Sequence, residues 1–236
     1  METKPFLPRM LQRLQNMQNS QNIFDPSQFG DPIATQTNWK PAIGGGSNFR
    51  TFKLVKVNPY RVEFKTTIVA ILFSLIFALP GIGLLLFLIP IVDWSSIDSG
   101  IIIGSLLGLI FASLGGYMFY KQMLPIVFDK NEGFFWKGRK PQAEMFTYEA
   151  TARHARLELV HALQIVAEYI RGKNDFYSYE LNLVLKNGKR INVVDHGNRN
   201  KLVEDAGVLA EVLGIPVGDA TINRFPANAF SATSNQ

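Results

Sequence analysis

The sequence predicts an α+β membrane protein: a two-helix transmembrane hairpin, plus a small cytoplasmic antiparallel β domain closed by a C-terminal helix. Three observations predict it. Residues 66–92 contain no ionisable side chain and 100–120 carry no charge, and each run is long enough to cross a hydrocarbon core of about 30 Å. Segments on both sides of this pair alternate apolar and polar positions, as strands do. Near the end, Leu202, Val203, Ala206, Leu209, Ala210 and Leu213 fall on one face of a helix.

Residues 1–49 are rich in Gln, Asn and Ser, with Gly44, Gly45, Gly46 and Ser47 in a row, a composition unable to bury enough apolar surface to fold alone. A disordered tail is expected there. Within it, Leu7, Met10, Leu11, Leu14 and Met17 recur at helical spacing over 8–17, which suits either a short amphipathic helix on a leaflet or partner, or a nascent helix. Residues 50–65 read as two strands about Asn58 and Pro59, joining the domain beyond the hairpin. The first span, 66–92, carries Pro80, Gly81 and Gly83, and the proline predicts a kink.

The connection 93–99 contains Asp93, Trp94 and Asp98 and no Lys or Arg. The flanks are basic instead: Arg50, Lys53, Lys56, Arg61 and Lys65 before the hairpin, then Lys121, Lys130, Lys137, Arg139 and Lys140 after it. By the positive-inside rule both termini are cytoplasmic and the short loop lies on the other side, in a multi-pass membrane protein. In the second span, 100–120, Gly100, Gly104, Gly108, Ala112 and Gly116 recur every four residues, and Ala70, Ser74 and Ala78 do so in the first. Such stripes let helices approach closely, and they predict packing within the hairpin or a homodimer.

Residues 121–217 form the expected cytoplasmic α+β domain, beginning with a strand, turn and strand about residues 129–133. Residues 142–171 satisfy both periodicities: Leu157, Val160, Gln164, Ala167 and Arg171 suit a helix, whereas Leu159, His161, Leu163, Ile165, Ala167 and Tyr169 alternate. Residues 179–185 and 190–194 alternate on either side of Asn187 and Gly188, a pair that suggests a type I′ turn. Asn198 or Asn200 can cap the following helix, and Gly214 with Pro216 ends it. Residues 218–236 read as a loose tail.

The succession of basic strand-like segment, two-helix hairpin, strand pair, Tyr-Glu-Leu-Asn-Leu-Val-Leu strand, Asn-Gly turn, Ile-Asn-Val-Val-Asp-His-Gly and helix resembles a group of uncharacterised bacterial inner-membrane proteins. It is more loosely similar to bacterial membrane proteins that carry a pleckstrin-homology-like domain after two spans. The resemblance covers about residues 48–217. It implies a pleckstrin-homology-like sheet with strand over 157–170, and it brings no activity, cofactor or ligand residue.

Chemistry is sparse. The chain has no cysteine, which excludes disulfides, thiolate metal sites and cysteine nucleophiles. His154 and His161 lack a third ligand at usual spacing, and no nucleophile elbow or phosphate-binding glycine loop is present. Asp195, His196 and Gly197 form the most suggestive polar cluster, but neighbouring side chains at a strand end diverge. A formal charge of +5, largely beside the apolar runs, does not point to nucleic acid. With only serines at membrane depth, transport is not indicated.

The expectation is therefore a non-catalytic interaction or scaffold module without cofactor or metal, an accessory subunit or assembly factor of an inner-membrane complex. Its partners would be the bilayer and one or more proteins. The alternatives are an anionic-lipid-sensing domain that uses the basic flank, or an envelope enzyme that uses Asp195 and His196.

Overall fold

The computed structural model describes residues 24–92, 98–139 and 149–221. The chain is α+β, with two long apolar helices and two sheets, one antiparallel and one mixed. It opens with a 3-10 turn (Pro26–Phe29) and a short helix, α1 (Pro32–Gln36). Strands β1 (Phe52–Asn58) and β2 (Arg61–Thr66) then pair antiparallel, turning where Asn58 accepts the Tyr60 N–H at 2.9 Å. Helix α2 (Ile68–Leu88) starts immediately after β2, capped by Thr67, and ends in a 3-10 turn (Ile89–Ile91). Helix α3 (Ser99–Gln122) returns, capped by Asp98. Both are long and apolar enough to cross a membrane.

Strands β3 (Ile126–Asp129), β4 (Phe134–Lys137) and β5 (His154–Arg156) complete the first sheet in the order β1-β2-β3-β4-β5. The α2–α3 hairpin is thus an insertion between two neighbouring strands, β2 and β3, whose register places Phe64 opposite Ile126 beside the hairpin. A 3-10 turn (Leu157–Leu159) leads into the second sheet, formed by β6 (Val160–Ile170), β7 (Phe176–Leu185) and β8 (Arg190–His196). Helix α4 (Arg199–Leu213) follows, capped by Asn198 and ended by Gly214. Strand β9 (Val217–Asp219) then adds to β6 in parallel.

One core joins these layers. Phe64, Phe128 and Phe135 from the first sheet meet Leu163, Ile165, Leu181 and Leu183 from the second, and Leu202, Ala206 and Leu209 of α4 close the cluster. Alternation decides the region that satisfied both periodicities. In β6, Leu163, Ile165 and Ala167 face this core, while Gln164 and Glu168 occupy the other side.

Two details differ from the sequence reading. The β7–β8 turn is not type I′, because Asn187 does not have positive φ. Instead the Gly188 N–H donates to the Leu185 carbonyl, the Leu185 N–H donates to the Lys189 carbonyl, and Gly188 alone is left-handed at φ 76°. That is the three-residue hairpin loop, which needs one left-handed residue rather than two. At the C-terminal end order continues past 217, with Ala220 and Thr221 buried. Pro80, the position of the expected kink, lies inside α2. The helix considered for 8–17, the residues of loop 93–97, and Lys140 lie outside the described residues.

Candidate functional site

The two apolar helices meet along a ladder of small residues. Ala70, Ser74, Ala78 and Gly81 of α2 are buried, as are Gly108 and Gly115 of α3. A methyl group at Gly115 would collide with the backbone of Ala78, and one at Gly81 with the backbone between Gly108 and Ala112. Gly104 and Gly108 lie against Leu88 and Leu85. Of the stripe read from sequence, Gly104, Gly108 and Ala112 lie along this seam, whereas Gly116 faces open space and Gly100 meets no side chain of α2. A four-residue repeat overshoots the helical turn by about 40° at each step, so the seam drifts from Gly116 to Gly115. Outward from the seam the helices are apolar on every side, with Ile68, Ile76, Phe87, Ile103 and Ile110 exposed.

The foot of the hairpin is tied to the sheet by hydroxyls. Thr66 donates to the Gln122 carbonyl, joining the start of α2 to the end of α3, and Thr67 donates to the Arg50 carbonyl at 2.6 Å. Thr51 in turn donates to the Asp195 carbonyl at 2.7 Å. No flexible linker intervenes between β2 and α2, and three residues separate α3 from β3.

The N-terminal segment, expected to be a tail, lies from residue 24 onward as a strap over the second sheet. Its own apolar surface is a small aromatic cluster of Phe24, Phe29 and Trp39, and the sheet supplies polar partners for the rest. Gln164 donates to the Asn38 carbonyl at 3.0 Å, and Arg190 to the Lys40 carbonyl at 2.7 Å. The fully buried Glu180 carboxylate accepts the Ala42 and Ile43 N–H groups at 2.8 Å each, and Glu168 accepts those of Gly45 and Gly46. Asp31 pairs with His161 at 2.6 Å, a bond that holds the Asp31 carboxyl below its ordinary value. Trp39 stacks on Phe29 and covers Gly218, where no side chain could fit, and Gly197 likewise lies against the backbone of Asn48 and Phe49.

Asp195, His196 and Gly197 therefore sit at a structural junction. His196 is fully buried, and its Nδ1 accepts the Asn198 N–H at 3.1 Å. Burial, and then the Arg50 charge, bring its imidazole down to about 4, so it is neutral at pH 7. Burial, and then the Glu180 charge, push the Asp195 carboxyl up to about 6, while Asn192 donates to it at 3.1 Å. Consecutive strand residues face opposite sides, and among the described residues no hydrogen bond joins this carboxylate to the imidazole. The pair forms no acid–base dyad of the kind that would act on a shared substrate. His154 and His161 are also separated in role: Nδ1 of His154 bonds the Thr151 hydroxyl, and His161 holds Asp31. No group of three metal-ligating side chains is present among the described residues.

The basic residues divide into two sets. Lys53, Lys56, Lys65, Lys121 and Arg139 are exposed, and Lys53 lies directly across from Lys65 in the β1–β2 register. Arg61 is engaged instead, paired with Glu63 at 2.8 Å and lying over the Trp136 ring. Lys137 is half-buried, and desolvation lowers its pKa against the opposing pull of Asp195. Sequence alone did not single out the strap or its acidic receptors, Glu180 and Glu168. The one signal was that Glu180 and Asn182 are polar residues within an otherwise apolar central strand.

No protein-family model matches this sequence, and no curated protein matches it.

Proposed function

We propose that this protein is a non-catalytic, membrane-anchored interaction module of a bacterial inner membrane. In this reading α2 and α3 span the bilayer, the connection between them faces outward, and the pleckstrin-homology-like domain and both termini lie in the cytoplasm. The observation that carries it is the splice of the hairpin between adjacent strands β2 and β3, locked by Thr66 to Gln122 and Thr67 to Arg50. An anchor fixed at two points of one sheet holds its domain in a defined attitude to the membrane. A tether would need only one span and a flexible linker.

Two further observations support the reading. The outward faces of both helices are apolar all round, a surface that lipid solvates and water does not. The acidic groups Glu180 and Glu168 of the second sheet are engaged by the domain's own strap. The expected role is that of an accessory subunit or assembly factor which presents the domain to a protein partner.

In-cell crosslinking followed by purification from native membranes tests it. The same partner is expected in independent preparations, with capture lost when the domain is deleted and the hairpin kept. A purification that returns only the protein itself, at crosslinker levels that trap known membrane complexes, would remove the support for a scaffold role.

A further inference from the structure

A cavity of about 380 Å³ opens where the first sheet meets the hairpin, lined by Glu63, Lys65, Thr66, Ile71, Gln122, Met123, Pro125 and Arg139. Its composition changes across its depth. Ile71 and Met123 belong to the hairpin side and are apolar, while Lys65 and Arg139 are exposed cations on the sheet side. Thr66 and Gln122 place hydrogen-bonding groups between the two.

The charge around this notch is only partly compensated. Glu63 gives one carboxylate oxygen to Arg61 at 2.8 Å and the other to Lys65 at 3.3 Å, and Arg61 also reaches Asp129 at 3.5 Å. Lys53 stands directly opposite Lys65 across the strand pair, a like-charge placement that destabilises a sheet. Arg139, Lys53 and Lys121 have no acidic partner within ion-pair distance among the described residues. Of these cations Lys65 and Arg139 line the notch, with Lys53 beside Lys65 on the neighbouring strand, and Arg139 has no carboxylate of its own among the described residues. The apolar wall of the notch continues directly into the lipid-facing surface of α2.

We infer that this notch binds the phosphate of an anionic phospholipid headgroup, with Lys65 and Arg139 on the phosphate oxygens and the upper acyl chain against Ile71 and Met123. The inference rests on the reading of the hairpin as membrane-spanning, and it adds a ligand to that reading. A guanidinium beside a phosphate offers a two-pronged contact, and an ammonium adds a point charge. Occupation would relieve the Lys53 and Lys65 repulsion and fix the height of the sheet above the headgroups.

The full chain, purified in mild detergent and exchanged into nanodiscs of equal phosphatidylglycerol and phosphatidylcholine, tests the proposal by native mass spectrometry of retained lipid. Preferential retention of phosphatidylglycerol is expected, falling about fivefold for each cation removed in Lys65→Gln and Arg139→Gln. The variant pair Lys173→Gln and Lys189→Gln, with the same charge change elsewhere, should retain the preference. Equal retention of both lipids by the unmodified chain, or an unchanged preference in Lys65→Gln with Arg139→Gln, overturns the site. Displacement of the lipid by millimolar inorganic phosphate or glycerophosphoglycerol overturns the lipid assignment in favour of a soluble phosphate ligand. Membrane fractionation of the same variants separates the two readings: a chain that remains integral but shows no lipid preference loses only this inference.

Discussion

At Asp195 and His196, adjacent residues respond to acid in opposite directions. The Asp195 carboxyl is raised from 3.8 to about 6, so its folded form holds a proton more readily than the unfolded chain does. Its contribution to stability is full below pH 4 and is lost as the pH rises through 6. The His196 imidazole is lowered from 6.5 to about 4, so its contribution is present above 6.5 and is lost as the pH falls through 4. Over pH 4–6 the two largely cancel. Asp195→Asn removes one arm: thermal melting of the detergent-solubilised variant should show higher stability than the unmodified protein at pH 7.5. It should then show a steady loss of stability between pH 6.5 and 4 where the unmodified protein changes little. A variant that melts in parallel with the unmodified protein at every pH would mean that Asp195 is not desolvated in the folded state.

The helices, strands and turns differ in how much of them sequence could reveal. The hairpin was legible because lipid-length apolar runs have few competing explanations, and the β7–β8 pair because alternation flanked an Asn-Gly turn. The seam between α2 and α3 was legible only in kind, since a repeat of four marks a small-residue face without following its drift to Gly115. Gly115→Val should therefore lower the stability of the solubilised protein by about 2 kcal/mol, as overpacking at a closed interface does, whereas Gly116→Val should change it by less than about 0.5 kcal/mol. Thermal denaturation of the two neighbours side by side distinguishes the seam seen here from the stripe read in sequence. The strap was not legible, because Gly- and Asn-rich composition records what a segment cannot bury by itself. It carries no mark of the carboxylates, Glu180 and Glu168, that receive its backbone 122 to 138 residues later in the chain. The same limit applies to the foot of the hairpin, where Lys53 and Lys65 become neighbours only through the β1–β2 register and Arg139 joins Lys65 at the notch from beyond β4.

For the whole molecule, the geometry is that of a sheet pinned to a helical hairpin at two neighbouring strands. The domain cannot swing freely as it would on a flexible tether, and any surface it shows to a partner is presented at a set height above the helices. The strap adds to this by carrying the chain from residue 24 across the second sheet to Arg50, which pairs with Asp205 of α4 at 2.7 Å before β1 begins. All of this places one end of the hairpin at the domain and the other, near Asp98, far from it. The absence of native cysteine makes this arrangement directly measurable with single introduced thiols. Asp98→Cys and Asn187→Cys should be compared for labelling by a membrane-impermeant maleimide, in spheroplasts and after permeabilisation. Asp98→Cys is expected to label in intact spheroplasts and Asn187→Cys only once the membrane is opened. Labelling of both positions without permeabilisation, or of Asn187→Cys alone, would contradict a hairpin that spans the bilayer with its domain in the cytoplasm.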